Sequence, residues 1–386
     1  MKKRANISDV DIMIKKVRNI KMDLLELLTS ENLPKNEIVR DNFIKAYKIV
    51  NDTKYHNIMC SISGGSDSDI MLDIIHKVDI NRKVKYVWFD TGLEYAATKR
   101  HLDYLEKRYD IEIVKIRAKT PIPLSCKKYG QPFLSKAVSK NIESLQKYNF
   151  DFSKEVDNDY IRMIKTYCIA NDHKKKNSVE IDGKWYIGCV GAILWWCDVC
   201  EKLPWGTDKS NNNMFRISRN KHLKEFMIEN PPTFNISSKC CTYAKKNPSH
   251  DFIKNNKIDL VILGIRKAEG GVRATSYKNC YDSDRDDYDK YRPIFWYTNG
   301  DKLQYDEVCN IVHSDCYKIW GFPRTGCCGC PYAQNLEHEL EATKIYEPKL
   351  YNAIQNVFRD SYEYTKRYRE FQQEMNIKEK GRKRLF

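Results

Sequence analysis

One short loop marks a change of hydrophobic period and limits what this chain can fold into. Ile58-Met59-Cys60-Ser61-Ile62 is an apolar run of strand length, and Asp69-Ile70-Met71-Leu72-Asp73-Ile74-Ile75 has helical spacing. Between them lies Ser63-Gly64-Gly65-Ser66-Asp67-Ser68. A strand, a glycine-rich hydroxyl loop and a helix start in that order turn several backbone N–H groups toward one point. The helix N-terminus adds about half a positive charge there. The Ser63, Ser66 and Ser68 hydroxyls add further donors, so the segment predicts a cradle for a phosphate, pyrophosphate or sulfate group. No Gly-Lys-Ser/Thr follows, which excludes a Walker loop. The plainer alternative is a tight strand-to-helix connection capped by Ser or Asp.

Strand candidates recur at 56–62, 84–89, 111–117 and 259–264, with helices at 67–77 and 94–109 between them. Such alternation predicts a parallel sheet covered on both faces, with ligands beyond the carboxyl ends of its strands. Ser63, Asp90-Thr91-Gly92 and Gly264-Ile265-Arg266 all fall at those ends. The expected fold is therefore α/β, a doubly wound, mostly parallel sheet. Residues 1–54 are expected to form an N-terminal helical extension, with helices at 8–29 and 36–50. Residues 55–345 are expected to carry the α/β domain, with 119–238 a large, mixed helical insert, and 346–386 a basic helical C-terminal tail.

The formal net charge of +15 suggests an anionic partner, or else a lysine-rich proteome. The longest apolar stretch, 187–197, is too short to cross a bilayer, and the charged N-terminus does not resemble a signal peptide. A cytoplasmic protein without membrane association is expected. In a reducing compartment disulfides are disfavoured, so the clustered members of the 14 cysteines point to metal or redox work. Cys240-Cys241 and the CxxC pair Cys327/Cys330 together suit a cubane cluster, a tetrahedral metal or unligated buried thiols. The second CxxC pair, Cys197/Cys200 beside Trp195-Trp196, could be a redox pair or half of a zinc site completed by Cys168 and Cys189, but that spacing matches nothing specific and packing is the favoured reading. The histidines are scattered, and neither His313 nor His338 has metal-ligand spacing.

SGGSDS at 63–68, DTGLEY at 90–95, KCCTYAKKNP at 239–248, GIRKAEGG at 264–271, PIFWYTNGDKL at 293–303 and GFPRTGCCGCP at 321–331 form an ordered set. In that order they resemble the phosphoadenosine phosphosulfate (PAPS) reductase family of the PP-loop, adenine-nucleotide alpha-hydrolase superfamily. The similarity covers residues 55–335. It implies a Rossmann-like PP-loop fold in which Ser63, Gly64, Gly65, Ser66 and Ser68 hold an adenine nucleotide, either ATP or PAPS/adenylylsulfate. Asp90, Thr91, Gly92 and Gly264 border that nucleotide. Arg266 suits bidentate pairing with its anionic end, with Glu269 orienting it and Arg273 a weaker second candidate; a surface ion pair is the alternative role for Arg266. Asp90 has its own alternative as a strand-end cap for the next helix. By the same resemblance, Cys240, Cys241, Cys327 and Cys330 hold a 4Fe-4S cluster, and Cys328 is an extra thiol within that CxxC.

Sulfonucleotide reductases of the family attack sulfur with a cysteine in a Glu-Cys-Gly-x-His motif near the C-terminus, whereas this sequence has no cysteine after Cys330. Sulfite release then needs Cys126, Cys197, Cys200 or a partner's thiol. Other members resembling this architecture insert sulfur. They split ATP between its α and β phosphates to activate an acceptor oxygen, with Mg2+ on the triphosphate and Asp67 its candidate ligand. The expectation is an enzyme of sulfur-transfer chemistry, leaning to ATP-dependent activation of an acceptor such as a nucleic acid, with a sulfur-donor or reductant protein as partner. The alternatives are a true PAPS or adenylylsulfate reductase, and a non-enzymatic nucleotide-sensing or nucleic-acid-binding component. Tyr362, Tyr364 and Tyr368 in the basic tail are candidates for base stacking, against the alternative of a solvated amphipathic helix.

Overall fold

The apolar run after Asn57 becomes the central strand of a six-stranded sheet in the computed structural model. This structure describes residues 24–29, 31, 33–153, 178–181, 184–187, 189–198, 216–270, 276–283 and 287–383. The chain divides into two compact units. One comprises Met1–Asp90, Glu94–Ala118 and Asn247–Gly326; the other comprises Thr91–Leu93, Lys119–Lys246 and Cys327–Phe386.

The first unit holds strands β1 (Ile58–Ile62), β2 (Val84–Asp90), β3 (Ile113–Arg117), β6 (Leu260–Leu263), β7 (Tyr281–Asp282) and β8 (Asp289–Tyr291), in the order β3-β2-β1-β6-β8-β7. All neighbouring pairs are parallel except β7 with β8, so the sheet is mostly parallel with one short antiparallel edge strand. Ile58, Cys60 and Ile62 point into a core with Val39, Phe43, Ile70, Ile74, Leu102 and Tyr305, supplied by the helices Glu37–Val50, Ser66–Val78, Ala96–Tyr109 and Asn299–Val308. Met59, Val87 and Val261 point to the other face and pack with Ile253 of the helix Asn247–Asn255. Burial on both faces explains why β1 and β6 read as unbroken apolar runs rather than alternating ones. The doubly wound α/β fold expected from the sequence is the one observed, with strand bounds shifted by one or two residues. The 281–291 edge pair was not expected, because two- and three-residue strands carry no usable period.

Strand order reverses between β1, followed by β2 and β3 on one side, and β6 on the other. This is the switch point at which open α/β sheets bind ligands. Register pairs Ser61 with Leu263, so Ser63 and Gly264 leave adjacent strands at the same edge.

The second unit is largely helical. It comprises Ile122–Tyr129, Lys136–Gln146, Val190–Trp196, Leu223–Glu229, Leu336–Tyr346, Pro348–Val357 and Arg359–Lys383, with a separate hairpin of β4 (Ser178–Ile181) and β5 (Lys184–Ile187). Its core joins Phe133, Ile142, Trp195, Trp196 and Phe226 to Tyr364 and Tyr368 of the tail helix. This corrects the base-stacking role considered for the tail. The Tyr364 ring sits 4.8 Å from Phe133 and 4.9 Å from Phe226, with its hydroxyl donating to Asn230 O at 2.7 Å. Tyr368 donates to Lys221 O, and Tyr362 to Gly329 O. The Tyr364 and Tyr368 rings are buried packing groups, and Tyr362 is half-buried against Phe358. Of the expected 8–29 helix, only Leu24–Thr29 lies within the described residues. Cys168, Cys200, Arg273 and residues 384–386 lie outside them. Among the described residues no helix is long and apolar enough to cross a membrane.

Candidate functional site

In the first unit the loop after β1 folds as its glycines require. Gly64 adopts φ +68°, and a Cβ there would lie 2.7 Å from Thr98 Cγ2, so only glycine makes this turn without strain. Gly264 serves a different need. A Cβ on it would approach Ser68 Cα to 3.2 Å and Asp67 O to 3.3 Å, because the end of β6 presses on the first turn of helix 66–78. Within the loop, Ser63 N–H donates to Ser68 Oγ at 3.0 Å and Gly65 N–H to Ser63 Oγ at 3.2 Å. The serines therefore shape the loop from inside. Gly65 is the N-cap of helix 66–78 and gives no side-chain cap. The Ser66 N–H instead donates to the Tyr317 hydroxyl, which also accepts from Thr325 N–H at 3.1 Å and lies 2.8 Å from Thr325 Oγ1. Tyr317 lies in no motif, and Thr325, although inside the 321–331 motif, had no role read for it, so both were missed.

Asp67 and Arg266 come together. Arg266 is buried, and its Nε donates to Asp67 Oδ1 at 2.9 Å while Nη1 donates to Asn299 Oδ1 at 2.9 Å. Lys302 Nζ stands 3.4 Å from the same Asp67 oxygen. Asp67, the expected magnesium ligand, is thus held between two cations. Glu269 lies in the short helical turn Lys267–Glu269 directly after Arg266. Asp90 closes β2 and its carbonyl accepts from Ala118 N–H at 3.0 Å.

One turn along helix 66–78 lies a group whose members are far apart in the chain and share no motif. Asp69 is fully buried, and its two oxygens meet His101 Nε2 at 3.0 Å and His313 Nδ1 at 2.8 Å. His313 Nε2 is 3.1 Å from Asp306 Oδ2. Burial alone lowers the His313 pKa, but hydrogen bonds to Asp306 and Asp69 outweigh it and raise it to about 9. Burial likewise works against the Asp69 carboxylate, and its two histidine partners more than compensate, leaving its pKa below the usual value. A protonated imidazole thus sits between two carboxylates behind the loop. The only signal for it was the isolated polar Asp69 within an apolar helix face.

The thiols of the second unit also gather. Cys240 hydrogen-bonds with both Cys126 and Cys241, and Cys330 interacts electrostatically with Cys327 and Cys241. Hydrogen bonding to Cys126 raises the Cys240 pKa, hydrogen bonding to Cys240 raises that of Cys241, and burial pushes Cys330 up to about 12. Cys126 is a fifth thiol that no motif marked as part of the group. Cys327 Sγ accepts from Thr91 Oγ1 at 3.7 Å, which places the Thr91-Gly92 segment against the CxxC. Cys328 is fully buried, and its Sγ lies 3.9 Å from Thr343 Oγ1 on helix 336–346. Among the described residues no group of three or more His, Cys, Asp or Glu is set to hold a metal ion. The donor chemistry therefore suits an iron–sulfur cluster, while the thiols are arranged as a protonated, mutually hydrogen-bonded group rather than a closed ligand set.

A mostly parallel sheet whose order reverses at a glycine–serine loop, with a buried guanidinium on the loop's carboxylate, defines a doubly wound, Rossmann-like α/β protein. Residues 57–175 match the family described as phosphoadenosine phosphosulfate reductase domain, so the family resemblance read from the motifs holds for that segment. A 102-residue stretch, 25% of this chain, is 32% identical to an uncharacterized protein of Methanocaldococcus jannaschii; the match spans only 21% of that relative's length. Similar solved structures include the phosphate complex of phosphoadenylyl-sulfate reductase from Candida auris, at 12% identity and TM-score 0.37, covering 85% of this chain and 98% of that one. The U34-tRNA thiolase NcsA of Methanococcus maripaludis with its [4Fe-4S] cluster aligns at 11% identity and TM-score 0.34, over 88% and 81% of the two chains. An NH3-dependent NAD synthetase of Campylobacter jejuni in complex with nitrate aligns at 10% and 0.32, over 89% and 96%.

Proposed function

We propose that this protein is a sulfur-transfer enzyme that binds an adenine nucleotide at residues 63–68 and activates an acceptor oxygen with ATP. The acceptor oxygen attacks the α-phosphorus, pyrophosphate leaves, and a sulfur nucleophile then displaces AMP from the adenylylated acceptor. The observation that carries the reading is the loop at the strand-order switch. There helix 66–78 opens on Gly65 with no side-chain cap of its own, and Arg266 and Lys302 stand beside the loop, both paired with Asp67 and the latter also 4.0 Å from Asp306. Mg2+ enters this scheme bound to the triphosphate as part of the substrate. Cys240, Cys241, Cys327 and Cys330 are the residues that would hold a 4Fe-4S cluster, whose chemistry when bound is to bind or deliver sulfur. The acceptor is a nucleic acid, in keeping with the net charge of +15, and a separate protein supplies sulfur or reducing equivalents.

The matched family description supports a second reading, reduction of PAPS or adenylylsulfate to sulfite. Anaerobically purified protein incubated with MgATP and candidate nucleic acids should release pyrophosphate and AMP only when the right acceptor is present. Sulfite from PAPS plus a thiol reductant, with no pyrophosphate from ATP, would establish the second reading instead. Nucleotide binding without either product would leave a non-enzymatic nucleotide sensor.

A further inference from the structure

Tyr364 and Tyr368 of the tail are buried, yet the second unit carries another tyrosine pair at its surface. Tyr129, the last residue of helix 122–129, stacks on Tyr243 with ring centroids 4.7 Å apart and planes 5° from parallel. Both rings are half-exposed. Lys239 Nζ lies 5.0 Å and Lys128 Nζ 5.2 Å from the centre of the Tyr129 ring. Hydrogen bonding from Tyr243 and the ammonium groups of Lys128 and Lys239 together lower the Tyr129 phenol pKa. Glu143, paired with Lys239 at 2.8 Å, is the carboxylate at this edge.

The same two segments carry the thiols. Cys126 is on helix 122–129, and Cys240 and Cys241 immediately precede the turn that bears Tyr243. Cys241 feels the positive charges of Lys136 and Lys245, and Cys330 feels Lys245. Lys127, Lys128, Lys136, Lys239, Lys245 and Lys246 are all exposed, whereas Cys241 and Cys330 are half-buried. A half-exposed aromatic stack, a lysine rim and two half-buried cysteines therefore share one surface.

Exposed lysines alone are ordinary, because a charged rim is usually just solvated. A parallel tyrosine pair held at the surface by two segments is harder to explain by packing, since it leaves aromatic area in water without a partner. Aromatic faces between ammonium groups are what a single strand uses, with bases stacking and phosphates lying along the charges. A duplex offers no free base face, and a membrane headgroup has no flat ring to place on Tyr243.

We propose that Tyr129 and Tyr243, with Lys127, Lys128, Lys136, Lys239, Lys245 and Lys246, form the docking surface for an unpaired stretch of nucleic acid. Its bases stack on the tyrosine pair, and its phosphates run along the lysines past Cys241 and Cys330. This inference rests on the reading of a nucleic-acid acceptor given above and fixes where that acceptor binds.

The test is fluorescence anisotropy of the full-length protein with a labelled 12-nucleotide single-stranded oligonucleotide, in RNA and DNA forms, over a range of salt. Tyr129→Ala with Tyr243→Ala should weaken binding about tenfold, while Tyr129→Phe with Tyr243→Phe, which keeps the ring faces, should stay near wild type. Lys127→Ala with Lys128→Ala should lower the slope of log K against log salt by about 1.4, the single-strand value for two lost phosphate contacts. Unlabelled duplex and heparin should compete poorly. Wild-type binding that neither pair of variants alters would overturn this surface and leave the nucleic-acid acceptor standing. Equal competition by heparin would reduce the surface to a patch of charge. No binding of either oligonucleotide by the wild-type protein would remove the acceptor reading itself.

Discussion

Arg266 and Asp67 are bound across 199 residues of sequence, Nε to Oδ1 at 2.9 Å, and both side chains are largely shielded from water. The carboxylate sits in the first turn of the helix that follows the glycine–serine loop, where its own charge would oppose an anionic ligand. Pairing with Arg266, and with Lys302 at 3.4 Å, cancels that charge and holds two cations beside the loop. Asp67 is thus best understood as the residue that positions them.

Removing Arg266 should therefore act twice. Arg266→Ala leaves Asp67 with Lys302 alone and should cost about 2 kcal/mol of stability, since breaking a shielded pair strands its partner. Adding Asp67→Ala should recover part of that loss. The measurement is urea unfolding of the two single variants and the double variant as a cycle. A double variant no more stable than Arg266→Ala would show that the pair is not the unit that matters.

Tyr317 stands where a ligand oxygen would be welcome. Its phenol oxygen takes the N–H groups of Ser66 and Thr325, the first of which opens helix 66–78. An anion arriving at the loop competes for that Ser66 donor. Tyr317→Phe frees it and should tighten binding of pyrophosphate about fivefold, the equivalent of one ordinary hydrogen bond. Isothermal titration of pyrophosphate with both proteins checks this, and weaker binding by the variant would instead make the phenol a direct phosphate ligand.

The Asp69–His313–Asp306 contact gives the fold a pH dependence whose sign is fixed. The His313 pKa is raised from 6.5 to about 9, so its contribution is complete below pH 6.5 and is lost as pH climbs through 9. Asp69 shifts the opposite way, and its contribution is lost only in acid. Wild-type Tm should fall between pH 7 and 9.5 by the equivalent of roughly 2 kcal/mol, and His313→Asn should flatten that slope. An equally steep slope in the variant would place the titrating group elsewhere.

Legibility from sequence followed the length of the element. β1, β2, β3 and β6 and the helices between them were readable because their apolar runs and periods extend over five or more residues or are bounded by glycines. The loop was legible for the same reason, since Gly64 and the serines around it have local conformational consequences. Partners such as Lys302, Asn299, Tyr317 and His313 were not, because each reaches its contact through tertiary packing; Asn299 and Lys302 lie in the 293–303 motif, but nothing in that motif names Arg266 and Asp67 as their partners. The tail shows the opposite failure. A Tyr-rich basic stretch looks like a nucleic-acid surface until the 359–383 helix is seen to bury Tyr364 and Tyr368 among Phe133 and Phe226. Charge composition reports the outside of a helix, whereas the same tyrosines are what attach it. Tyr364→Ala should accordingly destabilise by about 3 kcal/mol, and Tyr364→Phe by about 1 kcal/mol through the lost bond to Asn230. Thermal unfolding distinguishes the two, and a Tyr364→Ala variant as stable as wild type would return the ring to the surface.

The ligand set of the thiol group can be tested without any assay of turnover. Five thiols are close enough to influence one another, namely Cys126, Cys240, Cys241, Cys327 and Cys330, while Cys328 is directed at Thr343 and fully buried. The raised thiol pKa values mean that metal loading must expel protons, so iron content after anaerobic reconstitution should rise with pH between 7 and 8.5. Cys240→Ser, Cys241→Ser, Cys327→Ser and Cys330→Ser should each lower iron content and the visible charge-transfer absorbance severalfold, whereas Cys328→Ala should keep both. Cys126→Ala is the deciding variant. If it retains iron, Cys126 is a neighbour of the cluster and the four motif cysteines are the ligands. If it loses iron while Cys241→Ser retains it, the hydrogen bond between Cys126 and Cys240 marks the true pair, and the adjacent-cysteine motif supplies only one ligand.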